Sequence, residues 1–77
     1  MPKFRICVVN DEFESFDESE CADVDAARED AIRGATAMGA EQVTSGKPLF
    51  VAEVSVHQQA TLVTRMIVSV SASPLKV

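Results

Sequence analysis

A single histidine, two cysteines and a dense run of acids are the side chains of this 77-residue chain with chemistry to offer. His57 would act as a general base only with a nucleophile on one ring nitrogen and an orienting group near the other. Ser55 is two residues away on the same face of an extended segment. That spacing is about 7 Å, beyond a direct hydrogen bond. His57 therefore reads as a strand-end surface residue. Cys7 and Cys21 follow no metal-ligand or redox spacing, and one histidine with two distant cysteines is a poor set for zinc. Cys7 reads as a half-buried small hydrophobe. Cys21 stands in an acidic connection, which disfavours its thiolate rather than activating it.

The run Asp17-Glu18-Ser19-Glu20-Cys21-Ala22-Asp23-Val24-Asp25 places oxygen ligands at loosely alternating positions. A calcium loop needs Gly at its sixth position and Glu at its twelfth. Ala22 and Arg28 stand there instead. The sequence has no glycine-rich phosphate loop, no nucleophile elbow and no HExxH. These absences predict a protein that is not an enzyme, with no cofactor and no metal site.

Charge separates along the chain. Residues 11 to 30 hold ten acids and one base, Arg28, for a net of −9, while the remainder carries +4 and the whole −5. An acidic stretch repels phosphate backbones, so direct nucleic-acid binding is disfavoured. The acids keep a small domain soluble, and they could attract a cation or a basic partner. The hydrophobic content of 47% excludes a disordered chain. No apolar run is long enough to span a membrane. The opening Met1-Pro2-Lys3-Phe4-Arg5 lacks a secretory pattern, which predicts a cytoplasmic protein.

The elements that carry these residues follow from periodicity. Lys3 to Asn10 predicts a strand with Phe4, Ile6 and Val8 on one face and Arg5, Cys7 and Val9 on the other. A three-residue turn, Asn10-Asp11-Glu12, leads to a short strand from Phe13 to Phe16. That register sets Ile6 opposite Phe16 and Cys7 opposite Ser15. Asp17 to Ala22 reads as an acidic connection. Asp23 is a good N-cap for a helix from Val24 to Val43. Its stripe is Val24, Ala27, Ala31, Ala35 and Met38. Glu29 and Arg33 fit an i,i+4 ion pair. Gly34 and Gly39 each weaken the helix by about 1 kcal/mol relative to Ala. Thr44-Ser45-Gly46 and Pro48 end it.

Leu49 to His57 reads as the third strand, with Phe50, Ala52, Val54 and Val56 on its apolar face. Ala60 to Ala72 reads as the fourth, with Leu62, Thr64, Met66, Val68 and Val70 on one face. A two-residue turn would set inner residues against outer ones. A three-residue turn, Gln58-Gln59-Ala60, removes that conflict and sets Glu53 opposite Arg65 and Ala52 opposite Met66.

The resulting order is strand-strand-helix-strand-strand: one α+β domain over residues 1–77, an antiparallel sheet with one helix on one face. A chain this short buries only about 60% of the surface its unfolded form exposes. One helix covers one side of a sheet. The other side would display Cys7, Val9, Phe13, Leu49, Val51, Val63 and Ile67, a candidate interface more apolar than a solvated face usually is. The expectation is a homodimer or a protein partner.

The chain as a whole resembles a family of short bacterial proteins known only as a domain of unknown function. The resemblance rests on the opening Met1-Pro2-Lys3-Phe4, the Asp17-Glu18 pair, the helix start Asp23-Val24-Asp25-Ala26-Ala27-Arg28-Glu29-Asp30-Ala31, and the alternating strands that close the chain. Ile6, Glu20 and Gln58-Gln59 depart from the family's usual pattern. The family brings no established activity, cofactor or catalytic residue. The functional expectation is a non-enzymatic interaction or regulatory module that self-associates through its sheet. The alternative is a small-ligand or metal-responsive domain using the acidic 11–30 segment.

Overall fold

A computed structural model describes residues 1–75. The elements are β1 (Lys3–Val9), β2 (Glu14–Glu20), α1 (Val24–Thr44), β3 (Leu49–Gln58) and β4 (Thr61–Ser71). The strands form one antiparallel sheet in the order β2-β1-β3-β4, with one helix packed on it. The α+β order read from periodicity is the order observed.

The helix begins where its cap chemistry places it. The Asp23 carboxylate accepts the backbone N–H of Ala26 at 2.8 Å, satisfying a donor that has no partner inside the helix. At the other end Gly46 has φ +116°. Its N–H reaches the Val43 carbonyl, and the Lys47 N–H reaches the Gln42 carbonyl, both at 3.1 Å. This is the Schellman pattern of a glycine-terminated helix. Between the caps Ala27, Ala31, Ala35 and Gly39 are buried. Val24 stays partly exposed at the helix start, and Met38 packs at the margin of the core. Arg33 does not meet Glu29 as the i,i+4 spacing predicts. It pairs with Asp30, at i,i+3 and 3.5 Å, one of two carboxylates within reach on the same helix surface.

Gly39 has a second role that propensity alone hides. A Cβ built on it would lie 2.6 Å from Val70 Cγ2 and 2.7 Å from Phe50 Cδ2. No real Cβ sits so close, so α1 approaches β3 and β4 at the distance only a glycine permits. Beneath it Phe4, Phe50, Val54 and Val56 are fully enclosed, and Met66, Val68 and Val70 pack at the core's edge.

Both hairpins turn differently from the sequence expectation. In the first, Asn10 Oδ1 accepts the N–H groups of Glu12 (2.8 Å) and Phe13 (3.0 Å), and the Asn10 N–H donates to the Phe13 carbonyl at 3.1 Å. The loop therefore takes in Phe13, and the register moves by one residue. Cys7 faces Phe16 and Ile6 faces Asp17, instead of Ser15 and Phe16. Pairing also continues to Glu20, so most of the expected acidic connection is strand.

In the second hairpin the turn is two residues long, since Gln58 pairs with Thr61. Gln59 takes φ +56°, a hairpin conformation usually given to Gly or Asn. The parity conflict that argued for a longer turn is removed by a bulge instead. His57 pairs with Leu62 but Val56 pairs with Thr64, leaving Val63 as the extra residue. Glu53 thus faces Ile67, and Arg65 faces Ser55, in place of the direct Glu53–Arg65 opposition. The two still share a face and bond diagonally, Arg65 Nε to Glu53 Oε1 at 2.9 Å.

Candidate functional site: the open side of the sheet

The face away from the helix takes alternate residues of each strand. Across its centre, Phe16, Cys7, Ser55 and Arg65 run side by side, and Glu18, Arg5 and His57 form the next row. Of the residues expected there, Leu49, Val51 and Ile67 are exposed, Ile67 to 66%. Val9 and Val63 are half-buried. Cys7 lies on this face but is closed over, at 7% exposure. Its place in the middle of the sheet, between Phe16 and Ser55, removes it from any contact surface.

Phe13 is a correction. The longer turn carries it to the helix side, where it packs against the core and its ring lies 6.5 Å from that of Phe50. Phe16 takes the outer position instead, and the Arg5 guanidinium sits 4.9 Å from its ring centroid. Leu62 is a second addition. The bulge moves it off the helix side, next to His57, and leaves it exposed. The first substitution was open to sequence reasoning, because an asparagine that caps two following N–H groups lengthens the turn. The second required knowing that a bulge, not a longer loop, settles the parity.

The titratable groups on this face lie on neighbouring strands. Arg65 pairs with Glu53, and Arg5 stands between Glu18 and His57. His57 Nδ1 is buried without a hydrogen-bond partner. Its cross-strand neighbour is a cation, not the carboxylate that orients a catalytic imidazole. Among the described residues no three His, Cys, Asp or Glu side chains converge as a metal site.

The helix side differs on its β2 half. There β2 presents Ser15, Asp17 and Ser19. Ser19 Oγ donates to Asp30 Oδ2 at 2.9 Å and lies 3.3 Å from Cys21 Sγ. The buried Cys21 is thus part of a strand-to-helix contact. Between α1 and β1–β2 an open groove of about 370 Å³ remains, with Ile6, Val8, Ala31 and Ala35 among its lining and Asp17 and Asp30 beside them.

An antiparallel sheet with one helix across its β3–β4 side, and an open face on which exposed apolar and charged residues alternate, is the class of domain this chain forms. Residues 3–69 match the family described as a domain of unknown function, DUF6894, and the chain belongs to that family. No curated protein and no solved structure matches it. Among the described residues no helix is long and apolar enough to cross a membrane.

Proposed function

We propose that this domain is a non-enzymatic interaction module that self-associates through its sheet. One observation carries the reading. The sheet's exposed large apolar side chains, Phe16, Leu49, Val51, Leu62 and Ile67, all lie away from the helix. Each such side chain contributes roughly 1.5–3 kcal/mol when fully buried, so an uncovered sheet favours association. Nearby, Arg65 and Glu53 form an ion pair and Arg5 a cation–π contact with Phe16, and among the described residues no nucleophile stands beside a base. Light scattering of the full chain from about 1 to 100 µM tests the reading. A dimer is expected, and a monomer throughout that range overturns it.

A second reading draws on the groove between α1 and β1–β2, where Asp17 and Asp30 stand beside an apolar lining. Arg33 also lines the groove and pairs with Asp30, which leaves Asp17 as the carboxylate that would meet a small amphiphilic cation there. A thermal-shift screen with such amines checks it, and an unmoved melting temperature at saturating concentrations removes it.

A further inference from the structure

We propose that a second copy of this chain docks along the free edge of β4, antiparallel to it, joining two sheets into one of eight strands with Ile67 on the two-fold axis. The inference rests on the self-association reading but puts the contact at the sheet's edge rather than on its open face.

The two edges of the sheet are unequal. β2 forms one edge and carries Glu14, Asp17, Glu18 and Glu20 among its seven residues. Pairing two such strands would set carboxylates against carboxylates, the usual way an edge is protected from association. β4 forms the other edge, eleven residues long and rich in β-branched side chains. Its one charge, Arg65, is already paired with Glu53 of the same chain. Among the described residues nothing but β3 pairs with it. Its outward N–H and C=O groups form a ready template for another strand.

Symmetry decides what occupies that template. A β2 strand from another copy would give a head-to-tail contact that leaves new edges open and propagates. A second β4 gives an isologous contact that closes at two chains. Parity then restricts the register. Helix-side residues meet helix-side residues only if the axis passes through a residue, and the regular part of β4 runs from Thr64 past the bulge to Ser71. An axis at Ile67 sets Met66 beside the second copy's Val68, Thr64 beside its Val70, and Arg65 beside its Ser69. No like charges oppose each other. The core continues across the junction as well. α1 lies over β3 and β4, and Met66, Val68 and Val70 are only partly buried at that edge. The same side chains of a second copy would cover them.

The test combines sedimentation with amide hydrogen exchange on the full chain and on Val51→Lys, a change on the exposed outer face. Edge pairing predicts that both proteins are dimers at about 100 µM. It predicts that the alternate β4 amides between Thr64 and Val70 that point away from β3 exchange about tenfold or more slowly in the dimer than after dilution to monomer. A dimer in which alternate β4 amides still exchange at free-edge rates overturns edge pairing, as does a dimer that Val51→Lys dissociates. Either result leaves association through the outer face standing. A wild-type monomer at this concentration overturns both this inference and the reading beneath it.

Discussion

The two hairpins of this sheet are built on opposite principles. β3 and β4 lie under the helix, hold three of the four fully enclosed large side chains, and admit α1 so closely that Gly39 has no room for a methyl group. β1 and β2 share one apolar face between them, because Phe4, Ile6 and Val8 of β1 are backed by Ser15, Asp17 and Ser19 of β2. The helix meets β1 only lightly and leaves a groove there. The contrast separates two sources of order. Packing against the helix holds the β3–β4 half. In the β1–β2 half Phe4, Ile6 and Val8 join the same core, and hydrogen bonds at Asn10 and from Ser19 to Asp30 order the polar strand β2.

That division can be broken from either side. Gly39→Ala carries the largest expected effect. It forces a methyl group against Val70 and Phe50, and overpacking of this kind costs about 1–3 kcal/mol, read as a lower urea midpoint. Asn10→Ala removes the acceptor for the Glu12 and Phe13 N–H groups. It should cost about 1 kcal/mol, with Asn10→Asp close to wild type because the acceptor is retained. Gly34→Ala works in the other direction. Nothing lies within 4 Å of its added Cβ, so the gain in helix propensity, about 1 kcal/mol, should appear as a higher melting temperature. A loss of stability at Gly34 would mean that the helix packs as closely over β1–β2 as it does over β3–β4. The smallest effect belongs to Arg65→Ala. Its ion pair with Glu53 is exposed, and such pairs contribute under about 1 kcal/mol; a larger loss in a denaturant titration would assign it a structural role.

The same division explains what could be read from residues alone. The helix was legible at both ends, since Asp23 and Gly46 have one favoured use each, and its stripe was legible because Ala27, Ala31 and Ala35 keep the helical spacing. β1 and β3 were legible from strict alternation. β2 was not, because Glu14-Ser15-Phe16-Asp17-Glu18-Ser19-Glu20 has polar residues on both faces, and a strand without an apolar period does not announce its register. The placement of Phe13 and Phe16 failed with it. Gly39 was read for its helix propensity, while its closeness to Phe50 and Val70 is tertiary and has no local mark. On the open face, Leu49, Val51 and Ile67 followed from alternation in β3 and β4. Cys7 was assigned the correct face but the wrong exposure, since enclosure depends on its neighbours rather than its parity.

The bulge at Val63 makes the second hairpin a counting device with two adjustable entries. The short turn sets the pairing one step out of phase, and the extra residue puts it back before Met66 is reached. Deleting Val63 alone removes the bulge and leaves Val56 opposite Thr64, so Met66, Val68 and Val70 keep the helix side. A deletion between Met66 and Val70 has no extra residue to absorb it and would turn the residues beyond it to the opposite face. The hairpin should therefore tolerate a single deletion at the bulge and not one farther along β4, so the frame of the strand, more than the identity of its turn residues, is what the fold has to preserve.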